Sequence, residues 1–233
     1  MFNLKIADHV FCINNKYDFI RKMCSNYITS ESSNEIISVT DTEIKAENTE
    51  NLNFKNDYLE TLAVYRKICE KLVEDNIILF HCSAIMINNS AILFTAPSGT
   101  GKSTHTRMWQ ECFGQRVTVI NDDKPLIKIN DSEAVIYGTP WCGKHGIETN
   151  TSAKIKAVVI LEQSEVNSIK PISFFDAYPT ILNQTYRPND ADKMRKVLSM
   201  INGFIKNVTI YKLGCNISHD AAETAYNAIF TAK

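Results

Sequence analysis

Two glycines, a lysine and several hydroxyl residues stand together in Ala96-Pro97-Ser98-Gly99-Thr100-Gly101-Lys102-Ser103-Thr104. The stretch follows an apolar, β-rich run and leads into a helical pattern, the setting in which a Walker A sequence holds phosphate. Gly99 and Gly101 let backbone N–H groups turn inward around phosphate oxygens, and the start of the helix adds positive potential. Lys102 can then reach the terminal phosphates, and the Ser103 hydroxyl can bind Mg²⁺. Ala96 stands where the pattern has glycine, so it must avoid any backbone angle that only glycine reaches. The bland alternative is an incidental glycine-rich turn between strand and helix.

A phosphate loop holds a nucleotide; transfer also needs a second metal ligand and a group to take the proton of the attacking hydroxyl. Asp122-Asp123 ends the apolar run 117–120. Adjacent side chains at a strand end diverge, so one carboxylate could bind Mg²⁺ while the other serves as base. The competing reading is a polar turn begun by Asn121 and closed by Lys124-Pro125. His81, ahead of the loop, could bond a phosphate or tune a carboxylate, or could be a structural histidine. A second glycine-bearing loop, 138–146, offers Lys144 to neutralise a transferring phosphoryl group and Trp141 to anchor a ligand. Against this stands a plain connection with a core tryptophan and a solvated lysine. Arg187 is a weaker phosphate clamp with no motif around it. His105 reads as lying behind the site or on the surface.

These residues need elements to place them. The spacing predicts a hairpin of strands over 77–87 and 91–95, turned at Asn88-Asn89, residues that tolerate positive φ. A helix is expected over 103–112, then strands at 117–120, 126–129, 134–137 and 155–162. Ser173 with Asp176 opens a short helix, broken or kinked near Pro179. An amphipathic helix over 190–207, a strand over 208–213 and a helix capped by Ser218 finish the chain. Upstream, short alternating runs and a helix near 17–27 suggest a small α+β lobe. Residues 29–57 read as one strand, at Ile36, Ile37 and Val39, among polar loops. Tyr58, Leu62, Tyr65, Cys69 and Leu72 stack on one face of a helix over 58–75. The expected division is a lobe over 1–57 and a phosphate-loop catalytic domain over 58–233. The class is α/β with much antiparallel character.

With 233 residues the chain is long enough for one well-buried catalytic core with a small appended lobe. A formal charge of -1 offers no field for nucleic acid or anionic membrane, so neither is an expected partner. There is no apolar stretch of about 18 residues, and Asn3, Lys5, Asp8 and His9 interrupt the N-terminus where a signal peptide needs an apolar run, so the cytoplasm is the expected compartment. Seven scattered cysteines, odd in number and never at metal-ligand spacing, are expected to be reduced and mostly buried.

The hairpin led by His81, the loop ending Gly101-Lys102-Ser103 and the later Asn121-Asp122-Asp123 resemble the catalytic domain of the HPr kinase/phosphorylase family over residues 76–162. That family shares a core with the ATP-dependent phosphoenolpyruvate carboxykinases. The resemblance implies a curved, mixed and largely antiparallel β core with flanking helices. It also implies ATP and Mg²⁺, with His81 beside the phosphates, Ser103 and Asp123 on the metal, and Asp122 as base for a serine hydroxyl. Thr139-Pro140-Trp141, Gly143-Lys144, the run 183–188 and Leu213-Gly214-Cys215-Asn216 are similar to HPr-kinase-like proteins of anaerobic Gram-positive bacteria. After Tyr137 the chain departs from the acidic, glycine-rich signature of the bifunctional enzymes. The resemblance therefore implies a kinase, and a homo-oligomer, without naming the acceptor. Three readings stay open: transfer to a serine of a peptide or protein, transfer to a small hydroxyl compound such as free serine, and a nucleotide-dependent peptide-binding module that never turns over.

Overall fold

Phe2, Leu4 and Ile6 alternate with polar neighbours and bury their side chains, as does Phe11 with Ile13 on the next strand. The computed structural model describes residues 1–49, 52–143 and 146–231. It divides into two units, Met1–Asp75 and Asn76–Lys233. In the first, β1 (Phe2–Ile6) and β2 (His9–Asn14) pair antiparallel through a tight turn whose Ala7 and Asp8 take φ of 47° and 65°. Helix α1 (Asp18–Met23) follows, and β3 (Ile36–Ser38) then pairs parallel to β2.

The polar stretch expected to hold a single strand also carries a helix, α2 (Asp41–Ala46). Its start is a capping box: the Thr40 hydroxyl accepts from the Glu43 amide, and the Glu43 carboxylate accepts from the Thr40 amide at 2.8 Å. Helix α3 (Asn56–Leu72) buries a face wider than the predicted stripe, taking in Leu59, Ala63, Val64 and Ile68, while Tyr58 stays exposed. It packs on α1, α2 and β3, so it lies in the first unit, and the division falls after Asp75 instead of after residue 57.

Glu60 is a charged side chain at 0 % exposure on α3. Its carboxylate accepts the amides of Lys16 at 2.5 Å and Tyr17 at 3.1 Å, the backbone at the start of α1. Glu60→Ala should remove two hydrogen bonds to a charged acceptor and destabilise the protein by about 2–3 kcal/mol. A urea midpoint equal to that of the unsubstituted protein would refute this.

The second unit is built on one mixed sheet. Its elements are β4 (Ile77–Leu79), β5 (Ser83–Ile87), β6 (Ser90–Thr95), α4 (Lys102–Phe113), β7 (Thr118–Asn121), β8 (Leu126–Ile129), β9 (Ala134–Tyr137), β10 (Ser152–Gln163), β11 (Ser168–Pro171), α5 (Phe174–Gln184), α6 (Ala191–Asn207), β12 (Thr209–Cys215) and α7 (His219–Phe230). The strand order is β4-β8-β9-β10-β6-β5-β7, with β12 on β10 and β11 beyond it. β10 pairs antiparallel with β9 at its start and parallel with both β6 and β12 further along. The fold is therefore mixed α/β: three parallel strands at the centre with antiparallel strands to either side, as expected of the class. Helices α4 and α7 cover one part of this sheet, where Trp109, Met108, Phe94, Val159, Ala225 and Ile229 form a common core.

The β5–β6 hairpin turns at Asn88 and Asn89 with φ of 51° and 58°, as the dipeptide predicts. The expected single strand over 77–87 is instead two. β4 pairs with β8, β5 pairs with β6 and β7, and the chain changes partners across Phe80, His81 and Cys82. The amides there are taken by Pro125 (3.3 Å), Gln184 (2.7 Å) and Asp123 (3.2 Å), so no backbone donor is lost at the break. α5 runs through Pro179 without the expected break. The proline forfeits one helical bond, while buried Ala177 and Ile181 and the Ser173 cap hold the helix around it. Ser218 stands at the N-cap position just before α7 without capping it; its hydroxyl donates to Asn216 instead.

Candidate functional site

β6 ends at Thr95 and the chain enters the glycine loop at the carboxyl edge of the three parallel strands, where open α/β sheets place ligands. Gly99 and Gly101 take φ of +82° and +113°, and nothing lies within 4 Å of a Cβ at either, so the backbone angle and not crowding demands glycine there. Ala96 has no positive φ, and its methyl is fully buried in the core beneath the loop. That is why alanine serves at the first position. Pro97, Ser98 and Gly99 are exposed.

α4 starts at Lys102. Its ammonium is buried and donates to the Ala96 carbonyl at 3.0 Å. Burial lowers its pKa, opposed by the negative charges of Asp123 and Asp122, which therefore lie within electrostatic reach of it. The Ser103 hydroxyl is exposed and has no hydrogen-bond partner among the described residues, and Thr104 follows it half-buried.

Asn121, at 0 % exposure, shapes the carboxylate pair. Its side-chain oxygen accepts the amides of Asp123 and Lys124, each at 2.8 Å, and its Nδ2 donates to the carbonyl of Thr139 at 2.8 Å. The polar turn and the display of two carboxylates are thus one structure, not alternatives. Asp122 is buried, and its Oδ1 accepts from the Ser83 hydroxyl at 2.5 Å; its Oδ2 carries no hydrogen bond among the described residues. Asp123 faces His81 Nε2 at 3.1 Å with one oxygen and Lys124 Nζ at 2.9 Å with the other. Burial pushes its carboxyl up, but the His81 hydrogen bond and the Lys124 ammonium outweigh this and hold it down to about 2. Gly143, at φ +76°, packs against the Asp123 side chain, where a Cβ would come within 3.1 Å.

His81 is gripped from the far side by Gln184, whose Oε1 lies 2.8 Å from Nδ1 and whose backbone carbonyl takes the His81 amide. The structure thus brings His81, the glycine loop, Lys102, Asp122 and Asp123 into one neighbourhood. Gln184, Lys124 and Ser83 belong there too and were missed. Gln184 lies in the run 183–188 that carries part of the resemblance, but nothing local assigns it a role, whereas Lys124 was legible as the cation following the carboxylates. Trp141 is a core residue at 5 % exposure, so it anchors the loop and not a ligand. Arg187 is exposed and unpaired among the described residues. Lys144 lies outside the described residues. A cleft of about 480 Å³ bounded by Asn76, Asn130, Asp131 and Lys196 sits at the opposite end of β8 from the carboxylates and includes none of these groups.

The chain's own donors fit a hard divalent cation. Asp123 stays ionised, Ser103 offers a free hydroxyl, and among the described residues no group of three or more His, Cys, Asp or Glu could hold a metal alone. Mg²⁺ characteristically takes one or two protein oxygens and completes its shell with phosphates and water.

His105 is not on the surface. It is 2 % exposed, its ring packs edge-on to Phe94 at 4.7 Å, and Nε2 accepts from Trp109 Nε1 at 3.0 Å. The proton then sits on Nδ1, a buried donor with no partner. Burial lowers its pKa from 6.5 to about 4. The unfolded chain therefore binds a proton that the folded one refuses between pH 6.5 and 4. The stability His105 contributes is full above 6.5 and is lost as the pH falls through 4, by about 3 kcal/mol. His105→Gln keeps an acceptor for Trp109 and should flatten this slope; identical pH dependence of the urea midpoint in both proteins would rule the assignment out.

No helix among the described residues is long and apolar enough to cross a membrane. No protein-family model and no curated protein matches the chain. Among solved structures, it is similar to the HPr(Ser) kinase/phosphatase from Coxiella burnetii at 11% identity and a TM-score of 0.36, over 64% of this chain and 95% of that one. A likeness of that depth carries no argument about chemistry, and the reading of the site rests on its own geometry.

Proposed function

We propose that the second unit is an ATP- and Mg²⁺-dependent kinase that transfers the γ-phosphoryl group to a hydroxyl, most readily a serine of a peptide or protein. One observation carries the reading: β5 pairs with β6, which runs into the glycine loop and Lys102, and with β7, which runs into Asp122 and Asp123, so the loop and the carboxylates leave the sheet at the same end. Phosphate-binding and carboxylate groups are thereby brought to one place, as phosphoryl transfer requires.

In this reading the loop amides of residues 96–104 cradle the phosphates and Lys102 faces the oxygen between the β- and γ-phosphorus. Mg²⁺, when bound with the nucleotide, would offset phosphate charge, and Ser103 and Asp123 would hold it. Asp123 suits that role because it stays ionised. Asp122 is the base, since its Oδ2 is uncommitted while Ser83 fixes the other oxygen. The acceptor's proton passes to Asp122 as its oxygen bonds the γ-phosphorus. The bond from that phosphorus to the bridging oxygen breaks, and the electron pair leaves on ADP beside Lys102.

Incubation with γ-labelled ATP and Mg²⁺, alone and with a lysate from the source organism, tests this when the products are separated by size. Label on a peptide or protein supports the proposed acceptor class. Label on a small molecule moves the acceptor to a small hydroxyl compound, and tight ATP binding with no transfer overturns the kinase reading.

A further inference from the structure

We propose that Gln184 is a positioning residue that sets the His81 ring for phosphoryl transfer; the inference rests on the kinase reading. An imidazole on a partly exposed loop has two faces and two nitrogens to present, and a 180° turn about its axis exchanges them. Here the ring is pinned at both nitrogens: Nδ1 lies 2.8 Å from Gln184 Oε1 and Nε2 lies 3.1 Å from Asp123 Oδ1. In this arrangement each ring nitrogen donates: Nδ1–H to the Gln184 oxygen and Nε2–H to the Asp123 carboxylate.

Gln184 also holds the backbone under that ring. Its carbonyl accepts the His81 amide at 2.7 Å, Phe80 bridges Thr185, and the Tyr186 amide donates to Leu79 at 3.0 Å. Residues 184–186 thus run as a short antiparallel partner along the stretch where the chain passes from β4 to β5. His81 in turn orients Asp123, whose other oxygen is on Lys124. A side chain 103 residues away in sequence therefore acts on the carboxylate through the ring, without touching a substrate itself.

The two contributions separate by mutation. Gln184→Leu keeps the backbone pairing and a branched stem one atom shorter while removing the acceptor; Gln184→Glu keeps an acceptor oxygen at the same reach. Gln184→Leu should lower kcat by about 10- to 100-fold, the range for partners that orient a ligating group, with nucleotide affinity changed less than about twofold. Gln184→Glu should restore most of the rate. The second readout needs no turnover: the ring ¹⁵N signals of His81, identified by their loss in His81→Gln, should move in Gln184→Leu as the Nδ1 hydrogen bond is lost, while Gln184→Glu should keep a hydrogen-bonded Nδ1.

Ring signals that stay in place in Gln184→Leu overturn the proposal whatever the rate does. Signals that move with kcat intact overturn it as well, since the ring would then be set for nothing in transfer. If the unsubstituted protein transfers no phosphate, the kinase reading falls, while movement of the ring signals still upholds the hold of Gln184 on His81.

Discussion

Asp122→Asn should abolish measurable transfer, lowering it by about 10²- to 10⁴-fold, the span that a positioned general base supplies. The substitution is close to isosteric, and the amide oxygen can still accept from Ser83, which now holds Asp122 at 2.5 Å. Packing around the buried side chain should therefore survive, and nucleotide affinity should stay within about a few fold because the phosphates are held by the loop. Rates of label transfer, together with titration of a fluorescent ATP analogue, make the comparison. Transfer within tenfold of the unsubstituted enzyme would remove Asp122 from the role of base, and the two aspartates would have to exchange places. A peptide-binding module would have no transfer to lose, so the same experiment separates it from a kinase.

Lys102→Ala should cost about a hundredfold or more in rate, the loss seen when one preorganised donor to developing charge is removed. The ammonium donates to the Ala96 carbonyl at 3.0 Å, at the first position of the loop. Loss of the side chain also strips a partner from that buried carbonyl, so part of any effect could come from a disturbed loop. Lys102→Met keeps the apolar stem but also leaves the carbonyl without its donor, so the melting temperature separates the two: a shared loss of rate with an unchanged melting temperature assigns the effect to the charge. An unchanged rate in both variants would dismiss Lys102 as the group facing the bridging oxygen.

Local rules made much of the site readable in advance. The glycines at 99 and 101 announce backbone angles other residues avoid, and both angles are present. The Asn88-Asn89 pair announces a two-residue turn with positive φ, and it is there. Asn121-Asp122-Asp123 at the end of an apolar run places two carboxylates at a strand end because strand geometry leaves them nowhere else to go. The capping box of Thr40 and Glu43 is equally local, but the polar composition around it hides α2, and the stretch reads as loop.

What the sequence by itself determined was most of what is encoded within a few residues: the glycine loop, the hairpin turn, the paired carboxylates and most helix and strand positions. Tertiary structure decided the rest. An apolar run over 77–87 looks like one strand because hydrophobic pattern records burial and not partner, and only β8 on one side and β6 with β7 on the other divide it at His81. Tyr58 and Leu62 fit a helical stripe, yet packing on α1, α2 and β3 assigns α3 to the first unit and buries Glu60 with it. His105 beside an exposed Ser103 reads as lying behind the site or on the surface, and only its packing with Phe94 and Trp109 shows it to be buried. The hold of Gln184 on His81 is the extreme case, since a hydrogen bond across 103 residues leaves no trace in the local pattern of either partner. Side-chain orientation at a site is fixed by contacts whose sequence separation is set by topology, and topology is a property of the whole folded chain.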